Sequence, residues 1–510
     1  MIEMTIAKIA EIVDGELANI TPKEAASTYV TGTIEFDSRL LGPGDLFLAL
    51  SGMYINGHEF ATDAITAGAV AILTDWPIKL PSIVVNNSSK LVENTYISTV
   101  NKISNFGDSN SIILIALAKL ATEVAKRLVT NGLLIFGITG SIGKTSTKDL
   151  LTAILNESGQ VVSSPNSFNN ELGYPWTILR SSLNTKYLIL EMSARRPGDI
   201  LVLTKILIPH VAIVMNINDS HLSKFGSYVV TAKTKVELPK SVSVFGVVVL
   251  NEDDLMVSEM AEVTKAKVVR VSRIDKSRID LWSSQVSLDT LARPAFILFT
   301  SRQLINIKLN LHGDHQVTNT LCAAAAALNC KISLNQISTT LCKVQPTSRY
   351  RMEVVTCNDG TVVINDAYNA NPYSMRSALK TLAWMSRSKR IHNSYRTLSK
   401  ARRYTWAILG EMTELGANTI IKHDNIGRLV VRLNISRLIV VGAKRPSKAI
   451  HYGAIMEGFW GNESIIVNNV DSALELIQAE IQLGDIVLVK ASNSIGLNKL
   501  GDILIKTRNS

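Results

Sequence analysis

Residues 136–146 read Phe136-Gly137-Ile138-Thr139-Gly140-Ser141-Ile142-Gly143-Lys144-Thr145-Ser146, and this stretch decides the architecture. It follows an apolar run, Leu133 to Ile138, and precedes a helical pattern expected to start near Thr147. Strand, glycine turn and helix in that order are the setting of a phosphate-binding loop. Glycines let backbone N–H groups turn inward on phosphate oxygens, and a helix N-terminus adds favourable partial charge. Lys144 is placed to neutralise β- and γ-phosphate oxygens, and the Thr145 hydroxyl to ligate Mg²⁺. The spacing is GxxGxxGKT rather than the strict GxxxxGK[ST], because position 138 is Ile.

Working outward, short continuous apolar runs recur at Tyr187–Leu190, Val211–Met215 and Val244–Leu250. Runs of this kind suit parallel strands buried on both faces, and their alternation with helical patterns predicts a wound α/β sheet. Glu191 closes the second run, where a carboxylate beside a phosphate loop is well placed for a metal. His221 follows a polar loop after the third run; alone, such a histidine is more often a loop-bonding residue than a ligand. A helix carrying the alanine run Ala323–Ala327 is expected from Asp314 to Leu328.

Upstream, residues 1–128 form a smaller α/β pattern, with strand-like runs at Gly44–Leu50 and Ala69–Leu73 and a closing helix from about Ser111 to Val129. Downstream of Pro346 a third α/β pattern has strands at Val362–Asn365, Ala407–Gly410, Arg437–Val441 and Ile486–Lys490. Three domains are therefore expected, at 1–128, 129–345 and 346–510, which agrees with a length of 510 residues at about 150 per domain. The segment Asp366-Ala367-Tyr368-Asn369-Ala370-Asn371-Pro372 reads as a turn by composition, although its amides and phenol also suit a nucleotide or peptide.

Composition excludes several classes. With 46% hydrophobic and 19% charged residues the chain is neither disordered nor a disulfide scaffold. Cys322, Cys330, Cys342 and Cys357 form no CxxC pair and read as apolar filler in a reducing compartment. No segment has the length of a membrane span or the form of a signal peptide, so a soluble cytoplasmic protein is expected. The net charge is +10, but Arg387, Lys389, Arg390, Arg396, Lys400, Arg402 and Arg403 sit in one stretch without acids. That stretch, 386–404, reads as a solvated surface loop, and no nucleic-acid partner is expected.

Taken together, FDSRLLGPGDLFLALSGMYINGHEF (36–60), GITGSIGKTS (137–146), SFNNELGYPWTIL (167–179), LEMSARRPGDI (190–200), GDHQVTNTLCAAAAAL (313–328), DAYNANPYSM (366–375), LGEMTELG (409–416) and LVKASNSIGL (488–497) resemble the Mur ligases of peptidoglycan synthesis, in family order. The resemblance runs nearly end to end, and YNANP with FNNELG points to the dipeptide-adding branch. It implies a UDP-sugar-binding first domain, a central ATPase domain and a Rossmann-like third domain, closing around substrates about hinges near 128 and 346.

The implied activity joins D-alanyl-D-alanine to UDP-N-acetylmuramoyl-tripeptide with ATP and Mg²⁺, through an acyl phosphate, in the cytoplasm and as a monomer. Which diamino acid stands third in the tripeptide is left open. By position, Gly140, Ser141, Ile142, Gly143, Lys144, Thr145 and Ser146 would cradle ATP, with His315 and Asn319 near adenine and Arg349 reaching in from the third domain. Asp366, Tyr368, Asn369 and Asn371 would face the nucleotide. Thr145 and Glu191 would hold one metal, and His221 a second, helped by Lys235 as a carbamate. Asp37, Ser38 and Arg39 would meet the UDP-sugar, Asn169, Asn170 and Glu171 would border the tripeptide channel, and Lys490 and Ser492 would touch substrate. Asn365 and Asn493 depart from the family pattern, where Asp and Arg are common. A folate-type polyglutamate ligase is disfavoured by the DSR-containing first domain, and a non-catalytic nucleotide-binding scaffold by the retained Lys144, Glu191, His221 and Lys235.

Overall fold

The computed structural model describes residues 1–51, 56–86, 108–165, 168–218, 227–274, 278–393 and 404–509. The first unit is a sheet ordered β1-β5-β4-β3-β2, from β1 (Glu16–Ala18), β2 (Ile34–Glu35), β3 (Leu46–Leu48), β4 (Ala71–Thr74) and β5 (Ser82–Val84). The two apolar runs expected as strands are β3 and β4, buried along their length.

Helix α1 (Asp108–Thr130) follows, close to its expected bounds. Six consecutive residues, Ile113 to Ala118, are buried, so this stretch of α1 is enclosed on all sides, while the last turns leave Lys126 and Thr130 exposed. It is enclosed because it lies between the first unit and the next. One continuous core runs from Ile6 and Ile9 through Leu117, Leu120 and Val124 of α1 to Leu188 and Ala212 of the central sheet. The hinge expected near residue 128 falls in the last turn of this helix, whose buried side belongs to the shared core. Trp176 adds a second tie: its indole N–H donates to the Ile34 carbonyl at 2.7 Å, and its ring packs with Phe36 and Phe168 at centroid distances of 5.6 and 5.0 Å.

The central sheet uses β6 (Leu134–Thr139), β7 (Gln160–Ser163), β8 (Thr185–Glu191), β9 (Val211–Val214), β10 (Val247–Asn251), β11 (Lys267–Ser272), β12 (Leu281–Leu288), β13 (Pro294–Thr300) and β14 (Leu304–Lys308). Their order is β14-β13-β12-β11-β10-β9-β6-β8-β7. Strands β6 to β11 pair in parallel, and along β8 alternate residues enter opposite cores, Leu188 and Leu190 on one face, Tyr187 and Ile189 on the other. The parallel pairing expected from the apolar runs is present, and the sheet is extended at one edge by β12, β13 and β14, where β13 pairs antiparallel with both neighbours. Those strands alternate buried and accessible residues, as a half-covered antiparallel sheet does, and so lack the continuous apolar signature.

Five helices carry the site between these strands: α2 (Lys144–Asn156), α3 (Gly173–Leu179), α4 (Asp199–Ile206), α5 (Tyr228–Lys235) and α6 (Gln316–Asn329). In α6 the alanine run Ala323–Ala327 is wholly buried, and short side chains let the helix pack closely against α2 and the sheet.

The third unit has β15 (Glu353–Thr356), β16 (Val362–Asn365), α7 (Pro372–Asn393), β17 (Thr405–Leu409), β18 (Arg437–Val441), β19 (Ser464–Val467), β20 (Ile486–Lys490) and α8 (Asn498–Asn509). The sheet is ordered β15-β16-β20-β17-β18-β19, with separate cores on its two faces. Helix α7 corrects the loop expected over 386–404. It continues to Asn393, because Ser, Lys and Arg have tolerable helix propensity even where the sequence shows no apolar period. Residues 394–403, with the rest of the basic stretch, lie outside the described residues. No described helix is long and apolar enough to cross a membrane. Of the four free cysteines, Cys322 and Cys357 are buried as expected of filler, whereas Cys342 is exposed.

Replacing Trp176 with Ala removes a ring that ties two units together, at a cost of about 3–5 kcal/mol. A lowered urea midpoint and faster proteolysis between residues 1 and 130 are expected; Trp176→Phe, which keeps the ring contacts, should retain most of the stability.

Candidate active site

Strand β6 lies between β8 and β9, so the loop after it opens at the carboxyl end of the sheet, where ligands of wound sheets bind. Gly143 adopts φ +84, a left-handed conformation that turns the chain straight into α2 at Lys144, three residues earlier than expected. An added Cβ there would lie 2.6 Å from the Asn319 side-chain oxygen, so only glycine lets α6 approach the loop this closely. No side chain caps α2. Its first N–H groups are thus left for an anion.

The loop is braced before any ligand arrives. Asn216, just past β9, accepts from the Ile142 N–H through its side chain at 3.0 Å and from the Ser141 N–H through its carbonyl at 3.0 Å. The Ser141 hydroxyl accepts from the Asn218 N–H at 2.8 Å. Lys144 folds back, its ammonium donating to the Gly140 carbonyl at 2.7 Å. Burial lowers the Lys144 pKa, with Glu191 opposing that shift and the Arg351 cation reinforcing it.

Glu191, buried at the end of β8, accepts from the Thr145 hydroxyl at 2.8 Å and from the Asn169 amide at 2.9 Å. Carboxylate and hydroxyl together make a hard, all-oxygen donor pair of the kind Mg²⁺ takes alongside waters and phosphate oxygens. Among the described residues no group of three or more His, Cys, Asp or Glu could hold a metal. His221 lies outside the described residues. Lys235 ends α5 and is buried; that burial, and then the neighbouring Lys144 cation, push its pKa well below the ordinary lysine range.

The phosphate loop and Glu191 face a cleft of about 1350 Å³ between the central and third units, whereas Gly140 and Lys235 do not line it. Ser141, Ile142, Gly143, Lys144, Thr145, Ser146, Asn169, Asn170, Glu171, Glu191, His315 and Asn319 line it from the central unit. Asp366, Tyr368, Asn369, Asn371 and Lys490 line it from the third. His315, at the head of α6, bonds the Ser377 hydroxyl of α7 at 3.0 Å and so bridges the two walls.

Several expected contacts are already committed within the protein. The Lys490 ammonium donates to the Asp366 carboxylate at 2.6 Å and to the carbonyls of Asp366 and Asn369 at 3.1 and 2.9 Å. All three of its donors are taken, so it holds the Asp366–Asn371 loop in shape rather than reaching a substrate. Asn371 caps α7 through the Ser374 N–H at 2.8 Å. Ser492 accepts from the Thr413 N–H at 2.9 Å and lies outside the cleft lining. Asp37 and Arg39 pair with each other at 2.6 Å on the first unit, beside Ser38 and away from the cleft.

Arg349 is also drawn away, pairing with Asp502 at 2.8 Å. Arg351, two residues on, lines the cleft with its guanidinium 4.0 Å from the Tyr368 ring centroid. Sequence reasoning took the first arginine of Arg349-Tyr350-Arg351 and missed the second. Arg195, Asp199, Arg273 and Trp384 also face the cleft; the first two stand in segment 190–200, which carries the resemblance, and the other two come from segments with no recognisable spacing.

Residues 32–118 match the Mur ligase family catalytic domain, 138–327 the Mur ligase middle domain and 350–493 the Mur ligase glutamate ligase domain. The chain is 50% identical over 516 residues to the UDP-N-acetylmuramoyl-tripeptide–D-alanyl-D-alanine ligase of Mycobacterium tuberculosis, covering 99% of this chain and 98% of that one. It is 49% identical over 514 residues to the enzyme of the same name from Mycobacterium leprae, covering 99% of each. Among solved structures, MurF from Acinetobacter baumannii superposes with a TM-score of 0.78 at 24% identity, covering 99% of both chains, and shares the fold. The MurF ligase of Thermotoga maritima in complex with ADP superposes at 0.71 and 23% identity, covering 94% of this chain and 98% of that one. The chain belongs to the Mur ligase family.

Proposed function

We propose that the chain joins D-alanyl-D-alanine to UDP-N-acetylmuramoyl-tripeptide with ATP, completing the cytoplasmic peptidoglycan precursor. The observation that carries this reading is Lys144, Thr145 and Glu191 gathered at the head of α2, facing a cleft shared with the third unit. The identity to tripeptide–D-alanyl-D-alanine ligases over nearly the whole chain supports the choice of substrates.

A carboxylate is a poor electrophile, so the tripeptide's terminal carboxylate must first be activated. Attack of its oxygen on the γ-phosphorus of ATP releases ADP and leaves an acyl phosphate. The D-alanyl-D-alanine amine then adds to the acyl carbon, and the tetrahedral intermediate expels phosphate as the amide forms. In this scheme the braced loop and the bare head of α2 bind the phosphates, and Lys144 exchanges its Gly140 carbonyl for a phosphate oxygen. Arg351 adds a second cation from the third unit, and Tyr368 holds its guanidinium plane. Thr145 and Glu191 would hold Mg²⁺, which neutralises charge on the transferring phosphoryl group.

A neutral Lys235 amine could add to CO₂, losing one proton to give a carbamate anion beside the Lys144 cation. Its depressed pKa supports this, because the fraction of free amine at neutral pH then exceeds that of an exposed lysine. The first unit, with Asp37, Ser38 and Arg39, would anchor the UDP-sugar, and the boundaries at 128 and 345 would separate these tasks.

Phosphate release from ATP should require both the tripeptide and D-alanyl-D-alanine, and Lys144→Ala should cut it by roughly 10²–10³-fold. ATP binding without release on any tripeptide would end the ligase reading. Arg351→Ala should lower kcat/KM for ATP at least tenfold and Arg349→Ala by less than threefold; the reverse order would reassign the arginine. Stripping CO₂ from buffers should lower turnover and added bicarbonate restore it, whereas indifference to CO₂ would exclude the carbamate.

A further inference from the structure

The turn between β12 and β13, residues 289–293, belongs to the central unit but packs into the third. Ala292 is fully buried there, in a core whose other described members all lie at or beyond Met352. The turn is stiff. The Asp289 carboxylate accepts from the Leu291 and Arg293 N–H groups at 2.9 and 2.8 Å and from the Arg293 guanidinium at 2.7 Å. From the central side, His312 donates to the Leu291 carbonyl and the Gly313 N–H to the Ala292 carbonyl, both at 2.8 Å. Ala292 adopts φ +57, a left-handed conformation that a residue with a side chain holds only where its surroundings impose it.

Helix α7 meets the central unit at two points. Its Trp384 indole N–H donates to the Asp289 carbonyl at 2.9 Å, and its Ser377 hydroxyl bonds His315 at 3.0 Å. Positions 377 and 384 are two helical turns apart, so the two bonds lie on one face, about 10 Å from each other, and fix the helix's direction as well as its place. The helix starts directly after the Asp366–Asn371 loop, which carries the Tyr368 ring that Arg351 lies against. The turn itself lies outside the motifs that carry the family resemblance. We propose that Ala292 and Trp384 are positioning residues: the turn 289–293 latches α7, and so holds Tyr368 and Arg351 facing the phosphate loop. These contacts join parts of one chain, so they set the fraction of molecules closed before ATP binds. Apparent affinity for a ligand of the closed form scales with that fraction. The inference rests on the ligase reading only for the identity of the nucleotide and its co-substrate.

The test is small-angle X-ray scattering of the full chain, with and without an ATP analogue plus UDP-muramoyl tripeptide, paired with ATP kinetics. Ala292→Asn accepts the left-handed backbone but is too large for a buried alanine site, and position 292 does not line the cleft. Without ligands the wild-type chain should be as compact as with them, and Ala292→Asn should be expanded. Saturating ligands should return the variant to wild-type size. Its KM for ATP should rise about three- to tenfold with kcat within about twofold, because saturation refills the closed state. Trp384→Phe keeps a ring but loses the N–H, and should shift size and KM in the same direction by less; it carries the test alone if Ala292→Asn does not fold. A wild-type chain that expands without ligands as far as the variants, or variants that stay compact with KM unchanged, would overturn the latch and leave the ligase reading intact. A fall in kcat at saturating ATP, with KM and size unchanged, would do the same. Ligand-reversible expansion of the variants with no phosphate release on any tripeptide would keep the latch and sink the ligase reading.

Discussion

The hydrogen bond from Thr145 to Glu191 is where sheet register becomes chemistry. Glu191 stands opposite Ile138 because β8 pairs with β6 in parallel, residue for residue, and Thr145 comes back to it because α2 starts at once after Gly143. A slip of one residue in that pairing would send Glu191 to the opposite face and its carboxylate away from the loop. Every other wall of the cleft is arranged around this pair. Asn169 steadies the carboxylate from one side, Asn216 and Asn218 hold the loop from another, and Asn319 fills the space that a side chain at position 143 would take. The third unit then adds cations and a stacking ring over the open face.

Much of this was legible in the sequence, and the reason is physical. Strands buried on both faces must be continuously apolar, so β6, β8, β9, β16, β18 and β20 announced themselves. The antiparallel edge β12–β14 did not, because one accessible face removes that signal. The phosphate loop was legible because backbone geometry dictates its glycines. Arg351 was not, because which of two arginines flanking a tyrosine enters a cleft depends on the partner available to the other, and Asp502 lies far along the chain.

Residues named from resemblance divide similarly. Lys490 and Ser492 stand at the expected positions, yet their polar atoms are already engaged, Lys490 with Asp366 and Asn369, and Ser492 with Thr413. Position in a motif is not the same as a free donor. Asn365, which departs from the family pattern, is fully buried, and its amide donates to the Asn498 carbonyl at 3.0 Å against α8. A carboxylate there would meet that carbonyl with no proton to offer. The departure therefore belongs to the packing of the last helix rather than to the cleft.

The core shared by the first and central units has a metric consequence. Because α1 contributes to a core shared by both units and Trp176 bonds across to Ile34, the fold ties the Asp37–Arg39 turn to the unit that carries Glu191. If the Asp37–Arg39 turn anchors the nucleotide of a substrate activated beside Glu191, as proposed above, that substrate is measured against a ruler. A peptide one residue short leaves its carboxylate suspended before the loop, and one residue long must buckle. Selection by peptide length then needs no contact dedicated to it, only a gauge that does not stretch.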